Sequence, residues 1–159
     1  MEIPSPIVSR GLKVIRAWLD ENGHMNVAHY LKCFDDMFYE VYRVMGVEYA
    51  AVVQRGYSQF IAQANLAYLK EMLLDECFSI EAQLINHDRK RMHWFMQMKK
   101  EDGEIAATAE FMVLFMNLGQ RKVAAMPQEW FDRFSEIRRH HAALGTPPGM
   151  GRRIAIPEH

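Results

Sequence analysis

From Val27 to Met45 the apolar residues recur at spacings of three and four: Val27, Tyr30, Leu31, Phe34, Phe38, Val41 and Met45. Lys32, Asp35, Asp36, Glu40 and Arg43 fill much of the remaining surface. That spacing predicts an amphipathic helix of about five turns. Asn26 suits its N-cap and Gly46 its C-terminal stop. Downstream the period changes to two. Phe60, Ala62, Ala64, Leu66 and Tyr68 alternate with polar residues, as do Phe78, Ile80, Ala82 and Leu84, and then Met92, Trp94, Met96 and Met98. These segments predict half-buried antiparallel strands in series. The links between them are short, and the one at Lys100–Glu104 carries Asp102-Gly103, a hairpin signal. A helix with one apolar stripe, followed by such a meander, must bury the stripe against the sheet. The pattern predicts an α+β fold, with a curved antiparallel sheet wrapped around one long central helix.

The flanks extend this frame. Leu12–Trp18 reads as a first strand, stopped by the turn chemistry of Asp20-Glu-Asn-Gly-His24. The last long strand, Ile105–Asn117, ends apolar on both faces, so one face should meet the helix and the other a further surface, such as a partner subunit. Pro127 fits the first turn of a C-terminal helix to about Ala143, with Trp130, Phe131, Phe134 and Ile137 as its stripe. Arg138, Arg139, His140 and His141 close it, read either as a solvated helix end or as a phosphate patch. A Pro/Gly-rich stretch, Gly145–Gly151, follows. The expected organisation is one domain over 1–144 and a tail over 145–159.

Composition narrows the function classes. A chain of 159 residues is about one domain and long enough for a real core. A net charge of -1 gives no electrostatic footprint for nucleic acid. The longest unbroken apolar run, Phe111–Met116, is far shorter than a membrane span. The N-terminal residues show no export signal, so Cys33 and Cys77 are expected to be reduced thiols in a cytoplasmic protein. Methionine is over-used, at 12 residues. Most should fill the core; Met25 and a few strand methionines suit the lining of a ligand pocket equally well.

The segment Trp18-Leu-Asp20-Glu-Asn22-Gly23-His24-Met25-Asn26-Val-Ala-His29-Tyr30 carries the chemistry. A carboxylate, Asp20, precedes a helix N-terminus by a few residues. Gly23 permits close backbone approach, and the helix start offers unpaired amides and a partial positive charge. Together these can polarise a carbonyl oxygen while a carboxylate acts on its carbon or on water. The same residues also read as ordinary turn and capping chemistry. Asn26 serves as N-cap or touches substrate; His24 acts through its side chain or only its backbone amide; Tyr30 packs in the core or lines a pocket.

Other candidates are weaker. His24 and His29 are not at helical metal-pair spacing, so no metal is expected. Glu110 is either a second acid/base or the partner of a basic side chain. The turn His87-Asp-Arg89-Lys90-Arg91 is either a solvated charge cluster or a contact for phosphates. Cys33, inside the helix, reads as a small buried thiol.

The block Asp20-Glu-Asn22-Gly23-His24-Met25-Asn26, followed by Tyr30, resembles the Asp-x-Asn-Gly-His-x-Asn signature of hotdog-fold acyl-CoA thioesterases of the 4-hydroxybenzoyl-CoA thioesterase-like group. Leu66–Glu71, His87–His93 and Gly103–Glu110 resemble the group's strands, in the same order, over about residues 8–120. Within the group, Trp-Leu-Asp-x-Asn-Gly-His-Met is similar to betainyl-CoA thioesterase modules of carnitine breakdown. The resemblance implies a homodimer or homotetramer of hotdog subunits, with acyl-CoA bound at their interface and no cofactor. It implies Asp20 as nucleophile or general base and the Gly23 and His24 amides as oxyanion donors. Asn22, Met25, Asn26 and Tyr30 would meet substrate, and Arg89, Lys90 and Arg91 the coenzyme. Two alternatives stand beside hydrolysis: a hotdog hydratase or dehydratase, for which His24 with Glu110 is the test pair, and a non-catalytic acyl-binding subunit.

Overall fold

The computed structural model describes residues 3–156. Strand β1 (Ile7–Lys13) leads through a 3-10 turn at Arg16–Trp18 to helix α1 (Val27–Val44). A short helix α2 (Tyr49–Gln54) precedes β2 (Tyr57–Tyr68), β3 (Cys77–His87), β4 (Arg91–Lys100) and β5 (Ile105–Asn117). A two-residue strand β6 (Lys122–Val123) and helix α3 (Gln128–His141) complete the regular structure. The strands pair antiparallel in the order β1-β3-β4-β5-β2, with β6 beside the end of β5. The sheet curls around α1, which is the hotdog arrangement expected. No helix among the described residues is long and apolar enough to cross a membrane.

Helix α1 is bounded as its sequence predicts. Asn26 Oδ1 accepts the Ala28 amide at 3.0 Å. At the other end Gly46, at φ 72°, donates to Arg43 O while Val47 donates to Tyr42 O. That is a Schellman closure, which needs the left-handed residue that glycine supplies. Tyr30, Cys33, Phe34, Met37, Phe38, Val41 and Tyr42 face the core. Phe38 meets Trp94 and Phe111 edge-to-face, and Phe34 meets Phe111. Val27 and Leu31 depart from the expected stripe and lie exposed at 55% and 39%.

Strands β3 and β4 bury one face as their alternation predicts: Ile80, Ala82, Leu84, Met92, Trp94, Met96 and Met98 are fully buried. The edge strand β2 corrects the expected pattern. Its pairing with β5 slips between Ile61 and Gln63, so Ile61 faces Val113 while Ala64 faces Phe111. Cross-strand partners share a face. The bulge therefore sets Ile61 on the core side with Ala64, Leu66 and Tyr68, and turns Phe60 to the other side. Most of β2 also has no neighbour on its open edge, and Phe60 and Ile61 are exposed.

The first strand lies earlier than Leu12–Trp18. Its ladder with β3 runs over Ile7–Lys13 and slips between Ser9 and Leu12, where Gly11 takes φ 73°. A positive-φ glycine inside a strand reads as a break in the sequence, yet here it carries a bulge.

The C-terminal helix packs Trp130 against Tyr57 and Phe115, and Phe134 against Tyr42. His141 overturns both sequence readings of the helix end. It is fully buried; its Nδ1 accepts the Leu84 amide at 2.9 Å and its Nε2 bonds Pro4 O at 3.1 Å. β1 pairs with β3 only as far as Ile7 opposite Ala82, so the Leu84 amide lacks a strand partner and the imidazole supplies one. Burial pushes the His141 pKa below its ordinary value.

Beyond α3 the chain crosses the outer face of the sheet as a strap. Gln83 on β3 donates to Gly145 O, the Gly151 amide donates to Glu110 Oε2 on β5, and Asn65 on β2 donates to Arg152 O. The strap thus reaches the outer face of β5 at Glu110, and Met112 and Leu114 further along that face stay partly exposed.

Candidate active site

The segment that links the 3-10 turn to α1 is held almost wholly by backbone bonds. Asp20 N donates to His24 O and Gly23 N to Asp20 O, both at 3.0 Å. Asp20 Oδ1 accepts the Asn22 amide at 2.9 Å, an Asx-type turn. Gly23 sits at φ 78°, and a β-carbon there would meet nothing within 4 Å. Conformation, not crowding, selects glycine, and the space beside its α-carbon is open. Met25 N donates to Met72 O at 2.8 Å and Asn26 N to Trp18 O at 2.9 Å, which fixes the loop against the β2–β3 link and the 3-10 turn.

This closure places Asp20 at the positive end of the helix with its side chain 15% exposed. Oδ1 carries the Asn22 bond; among the described residues Oδ2 has no partner. His24 stands between two carboxylates, with Nε2 3.6 Å from Asp20 Oδ1 and Nδ1 3.5 Å from Glu71 Oε2. These separations exceed hydrogen-bond length, so neither carboxylate is locked to the ring. Asn22 is exposed and Asn26 is the helix cap. Met25 and Tyr30 lie beneath the loop at 1% and 3% exposure, so in one subunit they form its floor. The Tyr30 hydroxyl donates to Lys70 O, and burial pushes its pKa up to about 12. Tyr68, edge-to-face with Tyr30, donates to Val27 O at the start of α1. His29, which the sequence singled out only for its spacing, stacks on Trp18 behind the loop.

The remaining candidates lie elsewhere. The turn with Arg89, Lys90 and Arg91 meets the far end of β5: Arg91 pairs with Leu114, whereas Ala106 accepts the Leu69 and Lys70 amides beside the site. Eight residues of strand separate these points, about 27 Å. Arg91 is paired with Asp88 through two nitrogens, and Arg89 lies over the Phe131 ring at 4.1 Å. Glu110 lies on the outer face of the sheet, away from His24. Its Oε1 meets His93 Nε2 at 2.7 Å and its Oε2 accepts the Gly151 amide at 2.7 Å. The sequence did not mark His93, although its place opposite Met112 on β4 puts it diagonally beside Glu110. Among the described residues no cluster of three metal-binding side chains occurs.

A curled antiparallel sheet around one helix, with a carboxylate loop at that helix's N-terminus, defines a hotdog thioesterase-type subunit. Residues 15–134 match the family model of the Thioesterase-like superfamily, and the chain belongs to that superfamily. It is 30% identical over 145 residues to the betainyl-CoA thioesterase of Pseudomonas aeruginosa, covering 91% of each chain. It is 32% identical over 155 residues to an L-carnitine dehydrogenase/betainyl-CoA thioesterase of Rhizobium meliloti. There it covers 97% of this chain and only 31% of the fused relative, so the chain spans about a third of that protein. Among solved structures, a Staphylococcus aureus protein in complex with CoA superposes with a TM-score of 0.89 at 26% identity, covering 99% of both chains. A putative thioesterase of Pseudomonas putida superposes at 0.82 with 25% identity, over 99% of this chain and 100% of that one.

Proposed function

We propose that the chain hydrolyses an acyl-CoA thioester to the free acid and coenzyme A, with Asp20 as the reacting carboxylate. The observation that carries this reading is the free Oδ2 of Asp20, held by its own turn at the positive end of α1. Two routes fit. As nucleophile, Asp20 attacks the acyl carbon, the C–S bond breaks with its electron pair on sulfur, and water then cleaves the mixed anhydride. As base, Asp20 takes a proton from the water that attacks, and the departing thiolate takes up that proton. Each route consumes one water and no cofactor, and a thiolate leaves with little acid assistance. The His24 amide, with the field of α1, supports the oxyanion, while the Gly23 amide, turned to Asp20 O, holds the loop in shape; a donor so placed is typically worth about 3 kcal/mol. The His24 ring orients substrate, and Asn22 meets it from the exposed rim.

The active unit is a homodimer formed along the open edge of β2, with a tetramer as a further assembly. A long exposed edge strand is a pairing template, and apolar Phe60, Ile61 and Tyr68 lie along this one. Between subunits the basic turn, chiefly Lys90, comes within reach of coenzyme phosphates that its own Asp20 cannot share. Two free thiols suit a cytoplasmic enzyme, and no helix among the described residues is long and apolar enough to cross a membrane. The relatives' names put a betaine acyl group first among substrates to test. A hydratase would need His24 joined to a carboxylate such as Glu110, which instead binds His93.

The test is a panel of betainyl, short polar, aromatic and long-chain acyl-CoAs with a thiol-trapping dye, run beside Asp20→Asn. Thiol release that depends on Asp20 is expected. Release from no substrate would leave an acyl-binding subunit, and release unchanged in Asp20→Asn would remove the mechanism.

A further inference from the structure

A cavity of about 430 Å³ opens between α1 and the start of β2, lined by Asp35, Phe38, Tyr39, Tyr49, Gln59 and Phe60 among others. Tyr39 and Tyr49 meet at 90° with ring centroids 5.4 Å apart, so their faces form a corner. The Tyr49 hydroxyl is pinned by Ser58 Oγ at 2.8 Å and by the Gln59 amide, which fixes that ring. Tyr39 and Phe60 are exposed at 52% and 44%. Among the described residues Asp35 makes no ion pair or side-chain hydrogen bond, because the adjacent Lys32 is committed to Asp36. Partial desolvation raises the Asp35 pKa above its ordinary value, and Asp36 adds to the rise. An unpaired carboxylate beside electron-rich ring faces is a site for a cation, and a soft quaternary ammonium suits the rings best.

The cavity also lies on a track from the active site. Val27, Leu31, Asp35 and Tyr39 follow at intervals of four along one exposed side of α1. Asp35 is about 12 Å along the helix from Val27, too far for an acyl group on its own Asp20. The β2 edge resolves the distance. In the dimer proposed above, a twofold axis through the middle of β2 would lay Gln59–Ile61 beside the partner's Ala64, Asn65 and Leu66. The partner's Tyr68 lies next along that strand, and in each subunit its hydroxyl bonds Val27 O at the start of α1.

We infer that the cavity walled by Asp35, Tyr39, Tyr49 and Ile61 is the subsite for a cationic acyl group, and that it serves the Asp20 of the partner subunit. The inference rests on the thioester-hydrolase reading and adds to it the residues that choose the acyl group.

The test compares betainyl-CoA with tert-butylacetyl-CoA, its uncharged carbon isostere, on the wild-type protein and on Asp35→Asn and Tyr39→Ala. The wild type is expected to prefer the cationic ester, and the ratio of kcat/KM values to fall about tenfold or more in Asp35→Asn. A ratio that stays within about twofold of wild type would overturn the subsite while hydrolysis itself stood. If the wild type cleaves no ester in the panel, the hydrolase reading fails, and glycine betaine titrated calorimetrically decides the subsite. Binding lost in Asp35→Asn supports it; equal binding, or none to the wild type, removes it. Reassociated Asp20→Asn and Asp35→Asn subunits separate the two geometries. Mixed dimers regain the wild-type preference if the site is shared between subunits, because one of their sites then holds both native residues. Preference that stays at the Asp35→Asn level removes the partner's role.

Discussion

Among the described residues two histidines stand beside carboxylates, and the pair proposed to react is the more loosely formed one. On the outer face of the sheet, His93 and Glu110 meet at 2.7 Å, and the strap's Gly151 amide takes the other Glu110 oxygen. At the start of α1, His24 stands 3.6 Å from Asp20, and one Asp20 oxygen has no partner among the described residues. A carboxylate with both oxygens engaged is an anchor. One with a free oxygen at a helix N-terminus retains the lone pairs that acyl transfer needs. A search for short His–carboxylate contacts would choose the pair that anchors the strap.

The sharpest way to break the contrast is to neutralise each carboxylate in turn. Asp20→Asn is expected to lower kcat/KM for the best acyl-CoA by about 10²–10⁴-fold at unchanged melting temperature. Glu110→Gln should leave turnover near wild type, and an equal loss in both variants would erase the distinction.

A third histidine extends the anchoring side. Burial holds the His141 pKa below 6.5, so the imidazole is neutral in the fold. Above pH 6.5 folded and unfolded chains bind the same proton count at this group, and its contribution is complete. As pH falls below that value the unfolded chain takes up a proton that the fold refuses, and stability declines toward the lower folded pKa. His87, also pushed down chiefly by burial, adds in the same direction. Urea titrations from pH 8 to 5 should show the decline (the range brackets the ordinary histidine pKa). His141→Leu should flatten the slope at a cost of about 1–3 kcal/mol, since the Leu84 amide is then left unpaired.

Glu110→Gln gives a smaller effect, about 1–2 kcal/mol, together with faster proteolysis within the strap at 145–153. Unchanged proteolysis would show that the strap does not depend on this pair. The smallest expected change is Gly23→Ala, about 1 kcal/mol in urea melts, because the added β-carbon meets no neighbour and only the positive φ is penalised. A much larger loss of stability would mean that the loop at Gly23 is packed, not open.

What could be read from the sequence followed the range of the contacts. Asn26 as cap, Gly46 as stop and the turn around Asp20 rest on partners within a few residues, and spacing alone reveals them. The sheet could be read where both faces follow one rule, as in β3 up to Leu84 and in β4 from Met92 to Met98. It could not be read at Ala62, where one extra residue reverses the alternation of β2. His141 finds Leu84 across 57 residues and Glu110 finds Gly151 across 41, and no local pattern announces either. The Asp35 cavity left a trace in the i+4 series from Val27 to Tyr39, but the series mixes apolar and charged residues and reads as ordinary surface.

The bulge in β2 sets a rule for assembly. A kink at Ala62 falls near the midpoint of a strand that runs from Tyr57 to Tyr68. A second copy approaching antiparallel presents its own kink at the same height, whereas a straight strand does not match. The proposed pairing also consumes the long edge of both sheets. Only the β1 edges remain, each seven residues long and broken at Gly11. A chain that could add strands without end would seed a fibre; in the proposed dimer each free margin is a short, broken strand, a poor template for further growth by edges.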